Sequence, residues 1–387
     1  MYDKKLSIII PTKNRQVYAL KCVKTLLSFP SNDFEIVIQD NSDDDSLKHS
    51  LGDLIDGVKL KYSYVPGCLS FCANFEKGVE NSSGDYLITI GDDDCVFPDI
   101  VDLTNVIREK NICAAVFDTH TTYIWPNAVS KKGGRLVVRN QRNVVKKIST
   151  APALTDMMRA GNYDYQQYSF PKIYHGIIKR ESFDKVKAAT GHYFGGLTPD
   201  IYSAVALSFY IDEILYVSTP FTLPGTCAKS GSADSLTGRH TGELKDAPHF
   251  RGHDNYEWNS DIPYVYSVDT IWAETAFKAA TENGKNVALT SSEYFAFLTH
   301  IIKRSPLFKE RMVDFYCTKS GCDATKAEEL FDKAVARFSR RVKRRRWISA
   351  GMQVLKGRYV YNDVEDIDQA LRFRVPKLKN TKKPLKW

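Results

Sequence analysis

Three successive carboxylates, Asp92, Asp93 and Asp94, stand just beyond a short apolar run, Tyr86 to Ile90. Gly91 separates them from that run, and Pro98 follows at a position suited to a helix start. The pattern is that of a buried strand delivering carboxylates to its C-terminal tip. Adjacent carboxylates repel one another, and a cation among them relieves the repulsion; hard oxygen ligands suit Mg2+ or Mn2+ rather than zinc. An isolated Asp run is ordinarily a solvated acidic turn. Here the strand before it and the helix start after it favour a metal site.

A second carboxylate is set differently. In GHYFGGLTPDIYSAVAL, residues 191–207, the glycines make a flexible loop, Thr198 and Pro199 set a helix start, and Asp200 falls in its first turn. As a mere complement to the helix dipole Asp200 would contribute only about 0.3–1 kcal/mol. Asp212 and Glu213 are the alternative acids nearby. His175 lies in KIYHGIIKR, a strand leading to a helix near Ser182; it either contacts a ligand or is a satisfied structural histidine. The polar segment Thr222 to Trp258 is long enough to be functional, and we read it as a lid. Its His240, His249 and His253 offer metal or diphosphate contacts, and Lys229, Arg239 and Arg251 offer phosphate neutralisation; the alternative for each is a solvated loop residue. Tyr123 and Trp125 either pack or face a sugar.

Positioning these groups requires a sheet. Leu6 to Pro11, Glu35 to Gln39, Lys59 to Val65, Tyr86 to Ile90 and Ile112 to Phe117 read as strands, with helical spacing at Val17 to Leu27 and Phe71 to Val79. Alternation of this kind implies a doubly wound, mostly parallel α/β sheet, whose ligands bind beyond the carboxyl ends of the strands. Three polar tips converge there: Thr12 to Arg15, Asp40 to Asp43, and Asp92 to Asp94.

SIIIPTKNR, EIVIQDNSDDDS and GDYLITIGDDDCVFPD together resemble, in order and spacing, the first three motifs of family 2 glycosyltransferases of the GT-A fold. The resemblance covers about the first 120 residues and rests on three separated motifs. It implies that Pro11, Thr12, Asn14 and Arg15 lie along the nucleotide and that Asp40 binds its base or ribose. It makes Asp92 to Asp94 the DxD-type metal motif for Mn2+ or Mg2+, with Asp94 the main ligand, Asp92 near metal or sugar, and Asp93 on the donor side. Many relatives read DADD where this chain reads GDDD, so Gly91 replaces the first acid. The resemblance further implies that Asp200 is the catalytic base of an inverting hexosyl transfer; His175, Arg239, His240 and His253 are candidate acceptor or phosphate contacts on the residues alone. No glycine-rich dinucleotide loop or phosphate loop follows the first strand, which argues against a dehydrogenase, a phosphate-loop protein and a sugar nucleotidyltransferase.

The charge is uneven. Residues 333–387 carry 17 Lys plus Arg against 4 Asp plus Glu, so a local +13 within a total of +8 leaves the first 332 residues at −5. From Ser260 the apolar spacing is helical (Val265 to Ala280, Ser292 to Ile302, Pro306 to Tyr316, Ala324 to Phe338), running into the basic RFSRRVKRRRW, residues 337–347. These patterns divide the chain into a GT-A unit, residues 1–258, with a nucleotide half (1–120) and an acceptor half with lid (121–258), and a helical appendage with basic tail, residues 259–387. A basic amphipathic helix suits an anionic membrane surface; a solvated face is the plain alternative. Nucleic acid ranks last, since no stacking module accompanies the run. The N-terminus leads into a strand rather than a signal peptide, and the eight cysteines show no CxxC pair, so a cytoplasmic protein with reduced thiols is expected.

The resulting expectation is a cytoplasmic enzyme, peripheral at the inner membrane face. It would move a hexose or N-acetylhexosamine from a UDP-sugar or dTDP-sugar to a glycan acceptor, lipid-linked in surface polysaccharide synthesis (O-antigen, capsule or teichoic acid), with the appendage offering a surface for self-association. The alternative is a non-catalytic sugar-nucleotide or glycan-binding module docked through its tail.

Overall fold

Apolar side chains fill both faces of the first strand, β1 (Lys4–Thr12). Leu6, Ile8 and Ile10 enter one core and Ile9 the other, all fully buried. A strand buried on both faces needs neighbours in the sheet and helices above and below. A computed structural model, which describes residues 4–129, 132–139, 144–231, 240–253, 255–337 and 358–373, supplies both. β1 pairs in parallel with β2 (Phe34–Asp40), which pairs in parallel with β3 (Leu60–Tyr64), and on its other side with β4 (Gly84–Thr89).

Beyond β4 the sheet becomes mixed. β10 (Gly176–Lys179) lies antiparallel between β4 and β6 (Ala114–Phe117), while β11 (Glu213–Val217) runs parallel to β6 and antiparallel to the edge strand β9 (Val145–Ser149). The order is β3-β2-β1-β4-β10-β6-β11-β9. Helices α1 (Gln16–Leu27), α2 (Ser46–Leu51) and α4 (Ile100–Glu109) cover the face of Leu6, Ile8 and Ile10. The other face carries α3 (Phe71–Glu80), α5 (Ala151–Ala160), α6 (Arg180–Thr190) and α7 (Pro199–Leu207). The expected doubly wound α/β sheet is therefore present, with its parallel half at the N-terminal motifs.

The C-terminal helices build on the second face. α8 (Val268–Glu282), α9 (Ser291–Arg304), α10 (Lys309–Ser320) and α11, residues 324–337, contribute Phe277, Phe297, Met312 and Phe331 to the core that holds Ile9. Side-chain capping boxes start α8 (Ser267, Thr270) and α9 (Thr290, Glu293), satisfying backbone donors that helix ends leave open. The chain then returns to its first half. Strand β16 (Arg358–Asn362) joins β7 (Thr122–Ile124), β8 (Arg135–Arg139) and β13 (Gly225–Thr226) in a small sheet ordered β13-β7-β8-β16. Helix α12 (Ile367–Arg372) buries Ile367 and Ala370 beside α1. Two short ladders, β5 (Cys95–Val96) with β12 (Thr222–Leu223) and β14 (Thr241–Gly242) with β15 (Tyr266–Ser267), close the remaining connections. β7 and β8 form an antiparallel pair. Most of the basic stretch, residues 338–347, lies outside the described residues.

Candidate functional site at the carboxyl edge of the sheet

The parallel register sets the tips side by side: Thr12 stands opposite Asp40, and Asp40 opposite Tyr64. The tip after β4 folds onto the tip after β1. Thr12 Oγ1 donates to Asp92 Oδ2 at 2.5 Å, Arg15 Nε reaches the same oxygen at 3.0 Å, and Arg15 Nη2 reaches Asp92 Oδ1 at 2.8 Å. Arg15 Nη1 lies 3.5 Å from Asp93 Oδ1. Within this structure, then, the cation that relieves the carboxylate repulsion is the Arg15 guanidinium. Burial pushes the Asp92 and Asp93 carboxyls above the ordinary range and Arg15 opposes that shift.

Asp94 is tied down more completely. The Gly225 N–H donates to Oδ1 at 2.6 Å; the Gly91 N–H and the Tyr174 hydroxyl donate to Oδ2 at 2.7 and 3.1 Å; His175 Nε2 lies 3.2 Å from Oδ2. Burial works to raise this carboxyl, but His175 and the two amides bring it below its ordinary value. A Cβ at Gly225 would lie 1.8 Å from the Asp93 carbonyl oxygen, so only glycine can bring that amide so close. Asp93 Oδ2 accepts the Cys227 N–H at 2.9 Å, and Trp125 Nε1 donates to the Asp93 carbonyl at 2.8 Å. Asp93 Oδ1 has Arg15 Nη1 at 3.5 Å as its described partner.

The remaining residues of the first two tips order one another. Asp40, fully buried, accepts the Ser42 N–H and the Tyr62 hydroxyl, each at 2.8 Å. Asn14, at φ 55°, gives its N–H to Ser42 Oγ and exchanges side-chain bonds with Asp43. Pro11 is buried in β1 opposite Gln39. Tyr123 and Trp125 are buried packing residues rather than a sugar platform.

Asp200 sits in the first turn of α7 after the extended residue Thr198, as the TPD sequence implies. Burial pushes its carboxyl above the ordinary range, against hydrogen bonds from the Ile201 amide, Tyr165 and Thr198. Tyr165 and Tyr174, one beside Asp200 and the other bonded to Asp94, line a single cavity of about 540 Å³ with Asp94, Lys172, His175 and Tyr216. His175 thus belongs to this cavity. Asp200 itself is outside its lining, and so are the alternatives Asp212 and Glu213: β11 runs parallel to β6, so its first residue Glu213 lies at the opposite sheet edge, paired with Lys147.

The loop before Asp200 is clamped rather than loose. Glu76 of α3 accepts the N–H groups of Tyr193 and Phe194 at 2.7 and 3.0 Å, and the Gly195 carbonyl accepts from Cys72 Sγ at 3.2 Å. A Cβ at Gly195 would come within 2.6 Å of Tyr202, so this glycine serves close packing. Glu282 completes the clamp by accepting from Tyr202 and pairing with His192 and Lys278, each at 3.1 Å. Burial works to raise its carboxyl, but these partners hold it at about 2, below the usual 4.5. Glu282→Gln is accordingly expected to cost about 1–2 kcal/mol at pH 7. The lowered carboxyl stabilises the fold above its ordinary titration range and loses that contribution as pH falls toward about 2. Urea unfolding at pH 7 and pH 4 should therefore show a smaller difference between the two proteins at pH 4.

The segment Thr222 to Trp258 is anchored at both described ends. Gly225 and Cys227 bond the aspartates, and Arg251 Nε donates to the Leu69 carbonyl at 3.1 Å while its guanidinium covers Phe71. His240 lies beside His249 and Tyr266, and His253 borders a second cavity with Ser70, Cys72, Glu76 and Lys278, so neither reaches the Asp94 cavity. Arg239 lies outside the described residues. Tyr165, Tyr174, Lys172 and Glu76 escaped the sequence reading; the run YDYQQY, residues 163–168, and the tyrosine preceding His175 are the signals that mark the first two.

The sequence resembles those of known glycosyltransferases over part of its length. An uncharacterized glycosyltransferase of Rickettsia conorii is 27% identical over 131 residues, 34% of this chain and 20% of that protein. The GalNAc(5)-diNAcBac-PP-undecaprenol beta-1,3-glucosyltransferase of Campylobacter jejuni is 33% identical over 95 residues, 23% of this chain and 30% of that protein. The chain thus spans less than a third of the length of these curated relatives. Among solved structures, S. aureus TarS 1-349 in complex with UDP-GlcNAc is 13% identical with a TM-score of 0.45, covering 80% of this chain and 79% of that one. The model of the family described as Glycosyl transferase family 2 matches residues 7–197, a span that holds all three tips and reaches the residue before Thr198. Residues 7–197 are thus a glycosyl transferase family 2 domain.

Proposed function

We propose that the chain is an inverting glycosyltransferase that moves a hexose or N-acetylhexosamine from a nucleotide sugar, a UDP-sugar in the first instance, to a glycan hydroxyl. The observation that carries this reading is the single cavity joining Asp94 to Tyr165, the neighbour of Asp200. Thr12 and Arg15, the residues read as donor contacts, bond Asp92, and Asp200 is a half-buried carboxylate at a helix start beside Tyr165. In an inverting displacement the acceptor hydroxyl attacks the anomeric carbon as the bond to the diphosphate breaks, and its proton passes to a base. Asp200 Oδ is that base, and its raised carboxyl suits a proton acceptor. The name of the C. jejuni relative supports a lipid-linked acceptor. No described helix is long and apolar enough to cross a membrane, and the basic tail would supply peripheral attachment.

Among the described residues no three His, Cys, Asp or Glu side chains form a metal cage. Mg2+ or Mn2+ fits here as an ion held by one or two carboxylates together with substrate phosphates. Asp93, whose Oδ1 has only the 3.5 Å contact from Arg15, would hold it in preference to Asp94, held by two amides, Tyr174 and His175, and to Asp92, paired with Arg15 on both oxygens. Such an ion, when bound, stabilises charge on a departing diphosphate.

The test is thermal stabilisation of the full chain by UDP, dTDP and their sugars, with and without Mn2+, in wild type and Asp93→Ala. At one hundred times Kd a bound nucleotide adds about 2.7 kcal/mol, a rise of a few degrees. A rise that depends on Mn2+ and is lost in the variant is expected; no rise with any nucleotide overturns the reading.

A further inference from the structure

The cavity beside Asp94 has a charge pattern that the transfer chemistry alone does not require. Its walls carry the rings of Tyr165, Tyr168, Tyr174 and Tyr216 and the amides of Gln166 and Gln167, groups that stack on and hydrogen-bond a pyranose. Both acids in its lining are already satisfied. Asp94 has two backbone amides, Tyr174 and His175, and Asp118 accepts the His120 N–H at 2.8 Å and pairs with the His120 ring.

The lysines are not satisfied. Neither Lys172 nor Lys146 forms an ion pair among the described residues. Lys172 Nζ donates to the Gln166 carbonyl at 3.2 Å and lies 5.7 Å from the Tyr165 ring centroid, which leaves two of its three donors without a described acceptor. Lys146 Nζ stands at the exposed rim, 5.5 Å from the Tyr216 ring. Burial lowers the Lys172 ammonium to about 8, with Asp164 opposing the shift. A cation held this way in a ligand-sized cavity is destabilised when the cavity is filled by a neutral molecule and stabilised when it is filled by an anion.

We propose that this cavity seats the acceptor and that the acceptor is an acidic glycan, whose carboxylate or phosphate oxyanion is recognised by Lys172 with Lys146 at the rim. The proposal rests on the transferase reading. Lys172 is a specificity residue in it, separate from the proton acceptor Asp200 and from the donor contacts at Arg15 and Asp93.

The test is saturation-transfer NMR titration of the full chain at pH 7, with UDP held in excess so that the donor phosphate site is filled. The probes are methyl β-glucuronide for a carboxylate, glucose 1-phosphate for a phosphate, and methyl β-glucoside as the neutral counterpart. One or both acids should bind about tenfold or more tightly than the glucoside, the size of one charge-assisted hydrogen bond. Which acid is favoured identifies the oxyanion. Lys172→Met should erase the preference while leaving glucoside affinity unchanged, and Lys172→Arg should restore it. Equal binding of all three probes to wild type overturns the proposal and needs no variant. So does a preference that survives in Lys172→Met, or displacement of the acids by UDP, which would make Lys172 a donor contact. Failure of the transferase reading itself would appear separately, as absence of any thermal shift with UDP.

Discussion

Asp200→Asn is expected to lower turnover by about 10²–10⁴-fold, the usual contribution of a positioned general base, while nucleotide-induced stabilisation stays at its wild-type size. The substitution keeps shape and hydrogen-bonding reach at the start of α7 but removes the proton acceptor. UDP release from UDP-glucose and UDP-N-acetylglucosamine, with water or a glycan as acceptor, is the readout. The pH profile supplies the second half of the prediction. A base works in its ionised form, so the wild-type rate rises with pH through the Asp200 carboxyl pKa and then levels. Burial has pushed that carboxyl up, so the acid limb should lie above the ordinary aspartate range, and the residual activity of Asp200→Asn should lack it. If Asp200 only complements the helix dipole, the substitution costs a few tenths of a kcal/mol in stability and turnover is unchanged.

The difference between what could be read in the sequence and what could not follows from the range of the forces involved. Strands buried on both faces announce themselves as continuous apolar runs, so β1, β2 and β4 and the polar residues that end them are legible within a residue or two. The start of α7 is local in the same sense, because Thr198, Pro199 and Asp200 are consecutive. Orientation of the carboxylates is not local. Asp94 is turned by amides at Gly91 and Gly225 and by Tyr174, two of which lie 80 or more residues further along the chain, so no pattern around the triplet indicates which oxygen stays open. The glycines at 195 and 196 illustrate the same limit. Flexibility is their intrinsic property, but Thr275 of α8 and Cys72 of α3 use them for close approach, and the loop is held. The antiparallel insertion of β10 is equally nonlocal; KIYHGIIKR marks a strand without marking its direction.

Arg15 carries the second large expectation. Its guanidinium engages both oxygens of Asp92, approaches Asp93 and lies 3.8 Å from Cys227 Sγ, with only a fifth of the side chain exposed. Replacing Arg15 by Met would leave two buried carboxylates without the cation that faces them, and breaking a buried pair in this way costs about 3–5 kcal/mol at pH 7. The sign of the pH dependence separates this cause from lost packing. With Arg15 gone, the folded-state pKa values of Asp92 and Asp93 rise further above their unfolded values. Their protonated forms then favour the fold at low pH, and that contribution disappears as pH rises through the folded pKa values. Urea unfolding should therefore show the variant's deficit largest at pH 7 to 8 and reduced at pH 5; a deficit independent of pH would assign Arg15 a packing role alone. Arg15→Lys should recover only part of the loss, because a single ammonium cannot reproduce Nε and Nη2 on Asp92 together with Nη1 toward Asp93. The same pairing limits any divalent ion, which would have to enter beside a guanidinium already bound to Asp92.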